Sequence, residues 1–229
     1  MAIIDNHKSV KIDQAFSDKH VEMFAFFNNK GIDVELSDNF KEFQNFLSHL
    51  PYEDYPYNFD ESFMEHNIAD SVNAFALYLK KDNEIVATYA AKQMQLVSFI
   101  FDFKQIDESM KMCEDVPSWE ETMLQMYSSC QWVSKDHRGN GFGMMLDHLK
   151  KNICFDIFGV DVQYAIHKSQ FADYHIKGLH YDESKWLATI PKGDVGGAGE
   201  KKDKVYNLTW ISKESWANKL NDVRKLYTS

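Results

Sequence analysis

Between Met123 and Ile153 the sequence changes period across a turn that holds glycines at alternate positions, and this junction constrains the fold more than any other stretch of the chain. Met123 to Val133 reads as a long strand, and Ser134-Lys135-Asp136-His137 ends it before Gly139, Gly141 and Gly143. From Gly141 onward Phe142, Leu146, Leu149 and Ile153 share one face of a helix, with Asp147, Lys150 and Lys151 off that face. A strand that runs through a glycine turn into an amphipathic helix belongs to a sheet with a helix laid on it, because neither element buries its apolar side alone.

The rest of the chain extends this mixed α and β pattern. Ile12, Phe16, His20, Phe24 and Phe27 predict one helix of about four turns, ended by Gly31. Ile32 to Leu36 alternates like a strand, and Asp38 is the expected cap of a helix carrying Phe40, Phe43, Leu47 and Leu50 up to Pro51. A loop rich in Tyr, Pro and Asp follows at 51–60, with Tyr52, Tyr55 and Tyr57 at a substrate entrance or over the core, and then a short helical segment at 61–69. Val72–Leu79 and Ile85–Met94 read as a hairpin turning at 80–84. Residues 97–120 follow neither period and are taken as an insertion. Asp161–His167 is strand-like, Ser169–Lys177 helical with Gly178 as its C-cap, and Trp186–Ile190 and Val205–Ile211 are late strands around a Gly/Lys-rich loop. Trp216, Leu220, Val223 and Tyr227 recur at helical spacing in the tail. The expected organisation is a helical addition at 1–30, a main domain at 31–212 interrupted by the insertion, and a C-terminal helix at 213–229.

Composition narrows the function classes. A formal charge of −10 over 229 residues opposes non-specific binding to nucleic acid or anionic membrane, and slightly favours a cationic partner such as an amine. Residues 1–10 lack the apolar run of a signal peptide, and no stretch approaches the roughly 20 apolar residues of a membrane span, so a cytoplasmic protein is expected. Cys113, Cys130 and Cys154 are an odd number without paired spacing, and reduced core thiols are expected. The histidines show no His-x-x-x-His spacing, so no metal site is expected. His137 and His167 read as surface or satisfied histidines.

The glycine turn has the features of a diphosphate site. Glycines leave backbone N–H groups unobstructed, a helix N-terminus adds unpaired donors and a favourable dipole, and Arg138 brings a positive charge. The spacing Arg138-x-x-Gly141-x-Gly143 lacks the Gly-Lys-Ser/Thr end of a P-loop and the first glycine of a Rossmann fingerprint, which disfavours nucleoside triphosphates and NAD.

On these residues the segment resembles the acyl-CoA-binding motif of the GNAT superfamily of N-acyltransferases, a strand leading through Gln/Arg-x-x-Gly-x-Gly/Ala into a helix, with Val133 five residues ahead of Arg138. Ala172-Asp-Tyr174-His-Ile-Lys-Gly178-Leu179 is similar to the family's Ala-x-x-Tyr-x-x-x-Gly-Phe stretch, one residue short before the tyrosine, and the element order from about 32 to 211 resembles β-α-α-β-β-β-α-β-α-β-β. The resemblance implies an α/β (α+β) GNAT fold, a mixed sheet of about seven strands flanked by helices and splayed between its fourth and fifth strands. It implies direct acetyl transfer from acetyl-CoA to a small-molecule or protein amine, without a metal; a homodimer is compatible with it. Backbone groups of Gln131, Trp132 and Val133 would meet the pantetheine arm. The amides of Arg138, Gly139, Asn140, Gly141, Phe142 and Gly143 would hold the pyrophosphate. Ser169 stands where an asparagine is common in the family, and Tyr174 would protonate the departing thiolate. The strand at 123–133 carries no carboxylate where many members have a glutamate, so Glu84, Asp102, Glu120, Glu121, His180 and a water relay all stay open as the base. The alternative is a catalytically silent protein of the same fold that binds CoA or another ligand as a sensor or scaffold.

Overall fold

The computed structural model describes residues 12–51, 74–100, 111–190 and 203–228. The tyrosine cluster at 52–57, the segment 61–69, Asp102 and most of the Gly/Lys-rich loop lie outside them. The fold is a single mixed sheet with helices on both faces, in the strand order β1 (Asp33–Ser37), β2 (Ala74–Lys81), β3 (Glu84–Gln93), β5 (Gln125–Val133), β6 (Val162–Lys168), β8 (Lys204–Ser212), β7 (Glu183–Ile190) and β4 (Lys111–Met112).

The chain enters through α1 (Gln14–Lys19) and α2 (Val21–Asn29), two helices where the apolar period predicts one. The break falls at His20, whose ring turns inward and whose Nε2 meets Asp156 Oδ2 at 2.8 Å. β1 (Asp33–Ser37) leads to α3 (Phe40–Ser48), capped by Asn39 and not by Asp38: the Asn39 side chain accepts from the Glu42 N–H at 3.2 Å. β2 (Ala74–Lys81) and β3 (Glu84–Gln93) form the expected hairpin, tighter than the sequence suggests. Lys81 pairs with Glu84, and only Asp82 and Asn83 turn, both at positive φ, as the strand twist requires of a two-residue connection.

The insertion adds β4 (Lys111–Met112), a two-residue edge strand on β7, so the sheet has eight strands where about seven were expected. β5 (Gln125–Val133) runs antiparallel to β3 with a bulge: Thr88 faces Trp132 and Ala90 faces Ser129, leaving Cys130 and Gln131 together opposite Tyr89. α4 (Phe142–Asn152) and a π-helical turn cross over to β6 (Val162–Lys168), the parallel neighbour of β5. Their pairing runs only from Gln125–Val162 to Ser128–Ala165, and beyond it the two strands part. β7 (Glu183–Ile190), β8 (Lys204–Ser212) and α5 (Lys213–Thr228) complete the chain.

Side chains of β2 alternate between two cores, as strand geometry demands. Phe75, Leu77 and Leu79 join Leu146 and Leu149 of α4, Phe27 of α2 and Trp216 and Val223 of α5 in the main core. Ala76 and Tyr78 point the other way, into a smaller core with Phe43 and Leu47 of α3 and Trp132 of β5. The terminal helices lie over α4. Trp216 Nε1 donates to Asn152 Oδ1 at 2.8 Å, and Tyr227 Oη meets His148 Nδ1 at 2.6 Å. The far side of α4 is closed as well, against the expectation for it: Asp147, Lys150 and Lys151 are fully buried, with Lys150 over the Tyr89 ring of β3 and Lys151 on the Leu179 carbonyl and the Tyr181 ring. Among the described residues no helix is long and apolar enough to cross a membrane.

Candidate active site

β5 closes with the Ser134 N–H donating to the Val86 carbonyl at 2.8 Å, and the chain then makes one 3-10 turn, Lys135–His137. That turn is tied by Ser134 Oγ and His137 Nδ1, 2.7 Å apart, and by Asn140 Nδ2 donating to the His137 carbonyl at 3.4 Å. Arg138 is extended, and Gly139 and Gly141 sit at φ 80° and 81°, where a Cβ collides with the neighbouring carbonyl. A side chain at 139 would meet open space, so glycine there serves the backbone angle alone; at 141 it would also stand 3.3 Å from Met145 Cε.

Gly141 is the N-cap of α4 and no side chain caps the helix. The first N–H groups of a helix have no acceptor within it, so the turn offers uncapped donors at the positive end of the helix dipole. Phe142 turns inward and is buried. Arg138 is exposed, and its Nε donates to the Val133 carbonyl at 3.0 Å, bracing the loop against the end of its own strand.

The three expected residues of β5 divide between the sheet faces. Gln131 Nε2 donates to the Gly143 carbonyl at 2.5 Å, and Val133 packs beside α4. Trp132 is buried on the opposite face, its ring 5.5 Å from that of Phe46. Past Ser128 this stretch has lost β6 as a partner, so its backbone edge lines the opening between the strands.

Tyr174 comes to the same place from β6. A 3-10 turn at Ser169–Phe171 and a π-helical turn at Tyr174–Gly178 stand where one regular helix is predicted. Gly178 is not the left-handed cap; the positive φ falls on His180. A Cβ on Gly143 would stand 3.3 Å from Tyr174 Oη, 3.2 Å from Gln131 Nε2 and 3.5 Å from Val133 Cγ2, so the tyrosine hydroxyl, the end of β5 and the first turn of α4 converge on one glycine. Loss of water around the phenol, with a smaller contribution from the negative Asp147, pushes the Tyr174 pKa up to about 12. The hydroxyl therefore keeps its proton through the neutral range.

Gly178 fixes the ring: a Cβ there would lie 2.9 Å from Tyr174 Cδ2 and 3.1 Å from Cε2. Gly178→Ala is expected to push the ring aside, lift the hydroxyl from Gly143 and cost about 1–2 kcal/mol of stability as an overpacked contact. A crystal structure of the variant with the ring unmoved would overturn this.

The remaining candidates are scattered. Ser169 is exposed at the far end of β6. Glu84 is exposed beside the β2–β3 turn, and Glu120 and Glu121 precede β5, whose length puts about 26 Å between its two ends. His180 packs against His148, ring centroids 5.2 Å apart. Sequence reasoning missed the pairing of His167 with His175: their rings stack at 3.8 Å, both buried, next to Tyr174 in the chain. His167 Nδ1 meets the Lys168 carbonyl at 2.9 Å, but its Nε2 is buried without a partner among the described residues, so it is only half satisfied there. Burial lowers both imidazole pKa values, that of His175 to about 3. Only the spacing of these histidines around Tyr174 hinted at the pair. Cys113 and Cys154 are free thiols, and burial pushes the Cys154 pKa up to about 12, which makes it a poor nucleophile.

No family model and no curated protein matches the sequence. Solved structures do match the fold. FeeM, an N-acyl amino acid synthase from uncultured soil microbes, superposes with a TM-score of 0.51 at 9% identity, over 82% of this chain and 93% of that one. The spermidine N-acetyltransferase of Vibrio cholerae in complex with CoA and spermine gives 0.50 at 9% identity, over 82% and 99%. The dodecameric form of that enzyme gives 0.50 at 10%, over 83% and 98%. Together with a sheet that opens between the one parallel pair of strands among the described residues, and a glycine turn leading from one of them into the crossover helix, these likenesses show that the chain has the GNAT fold.

Proposed function

We propose that the chain is an N-acetyltransferase that moves an acetyl group from acetyl-CoA to a primary amine by direct attack within a ternary complex. The observation that carries the reading is the convergence of Tyr174 Oη, Gln131 and Val133 on Gly143, at the mouth of the opening between β5 and β6. A turn built for anions and a protonated phenol there face a gap one thioester arm could span. The bound CoA of the V. cholerae enzyme adds support.

In this reading the amides from Arg138 to Gly143 grip the pyrophosphate, since Gly141 and Gly143 leave the room that side chains would fill. The pantetheine arm lies along the free edge of β5. The amine nitrogen attacks the thioester carbonyl, the carbon–sulfur bond breaks, and Tyr174 gives its proton to the leaving sulfur. A backbone N–H at the β5 bulge steadies the negative oxygen formed on attack. β5 carries no carboxylate, so the amine proton leaves through water. The reading locates the protein in the cytoplasm, where thiols such as Cys113 and Cys154 stay reduced.

The missing carboxylate also favours a second reading, a silent protein that binds CoA without turnover. Calorimetry with CoA, followed by thiol release from acetyl-CoA over an amine panel, separates the two: amine-dependent release marks the enzyme, and binding without release marks the sensor. Gly141→Val forces a β-branched residue to φ 81° and is expected to weaken CoA binding at least about tenfold, as strain of about 1–3 kcal/mol moves the loop. Arg138→Ala, which removes the brace on Val133, is expected to do the same by about tenfold. Equal CoA affinity in both variants refutes the site.

A further inference from the structure

On the other face of the sheet a groove of about 400 Å³ opens between α3 and the strands β1, β2 and β3. Tyr78 lines it, only 2% exposed, and its buried hydroxyl has no hydrogen-bond partner among the described residues. Buried hydroxyls are nearly always partnered, so an orphan at the wall of a cavity marks a place for a polar atom that the chain does not supply. Glu35 stands directly opposite Tyr78 in the β1–β2 register, and Glu42 enters from the first turn of α3; both line the groove. Both carboxylates, after burial itself, raise the Tyr78 pKa, which puts their charge near the phenol. Lys80 Nζ already holds Glu35 at 2.5 Å, whereas Glu42 pairs with no cation among the described residues. Glu35, Glu42 and Lys80 thus leave one net negative charge, and Phe46, Leu50 and Ile85 supply apolar wall.

We infer that this groove binds a monocationic amine, its ammonium shared between Glu42 and the Tyr78 hydroxyl and its apolar stem laid against Phe46 and Ile85. An ammonium has three donors and no acceptor, which suits a carboxylate whose side-chain contact is a long one, Asn39 Nδ2 at 3.5 Å from Oε2, and a phenol oxygen with no partner among the described residues. One charge suffices, so a polyamine gains nothing from its further ammonium groups here. The site is not where acetyl transfer is proposed. Tyr78 faces Thr88, and Thr88 faces Trp132, so two strand spacings, roughly 10 Å, separate it from β5. The groove opens on the α3 face, while Gly143 and Tyr174 meet on the α4 face.

Calorimetry with n-hexylamine, 1-hexanol and the full chain without CoA tests this. One hexylamine is expected to bind, with 1-hexanol weaker by about tenfold or more for want of the charge-assisted hydrogen bonds. Tyr78→Phe and Glu42→Gln are each expected to weaken hexylamine by about tenfold. Tyr78→Phe should melt no lower than the parent, because it deletes an unpartnered hydroxyl. No binding to the parent chain, equal affinity for 1-hexanol, or unchanged affinity in both variants would overturn the inference. Since the measurement uses no CoA, failure of the acetyl-transfer reading leaves it standing, and its own failure leaves thiol release untouched.

Discussion

Replacing Asp147 with alanine is expected to remove about 3–5 kcal/mol of unfolding free energy, because it strands two buried ammonium groups. The Asp147 carboxylate is fully buried in the middle of α4, with Lys150 Nζ on one oxygen at 2.6 Å and Lys151 Nζ on the other. Lys150 also lies 3.6 Å from the Tyr89 ring centroid, and Lys151 3.8 Å from that of Tyr181, so aromatic faces take up part of the surplus positive charge. Without the carboxylate the ammonium groups keep those faces, the Tyr181 hydroxyl 3.3 Å from Lys150 Nζ and the Leu179 carbonyl on Lys151 Nζ, none of them an anion. For a chain of this size the loss corresponds to a fall of about 10 °C in melting temperature. The sign of the pH dependence follows from the lysines. Burial holds the folded pKa of Lys151 at about 8 against 10.5 in an open chain, so the unfolded state binds the extra proton between those values and stability rises with pH across that window. Losing Asp147 drives the folded lysine pKa values lower still, so the variant should recover stability from well below pH 8 upward. Burial raises the Asp147 pKa, but the two lysines together outweigh burial and depress it, so Asp147 contributes stability above about 3.8 that is lost as the pH falls further. Urea unfolding from pH 2 to 10 checks both; a variant as stable as the parent at pH 7 would show that the triad carries no net ionic attraction.

The same triad shows where the sequence stopped being legible. A helical wheel through Phe142, Leu146, Leu149 and Ile153 correctly finds the side that packs on the sheet, and correctly finds the helix. It assigns Asp147, Lys150 and Lys151 to water because periodicity assumes that one face of a helix is free. That face here is closed by Tyr89 of β3, by Leu179 and Tyr181 ahead of β7 and by Trp216 of α5, neighbours distant in sequence whose docking no local pattern records. The break at His20 has the same origin: a hydrogen-bond contact with Asp156, 136 residues away, fixes the turn between α1 and α2. Features set by the backbone alone were readable. Gly139 and Gly141 stand at positive φ, as a glycine turn into a helix suggests, and the β2–β3 hairpin forms where the polar run predicts it. At the candidate site the backbone of the loop was legible because its conformation is set locally. The stacking of His167 on His175 was not, since it needs β6 and the following π-helical turn to fold back on each other.

Tyr174→Phe carries the second large effect, an expected fall of about 10²–10³-fold in turnover with acetyl-CoA and a competent amine, within the range that a positioned acid contributes. The substitution keeps the ring that rests on Gly178 and removes only the oxygen near Gly143, so packing and the loop should survive. CoA affinity is accordingly expected to stay within about twofold of the parent, the signature of an interaction made chiefly in the transition state. The pH profile gives a readout that a merely structural tyrosine would not move. With its pKa near 12, Tyr174 stays protonated across the working range and can impose no alkaline limb below about pH 11. An acidic limb must then belong to the amine, which attacks only when unprotonated. In the variant the thiolate must leave without a proton, so donors of lower thiol pKa should recover much of the lost rate, as a missing acid matters less for a better leaving group. A variant that loses CoA binding along with turnover, or that gains nothing from a better leaving group, would move Tyr174 from proton donor to a wall of the cleft.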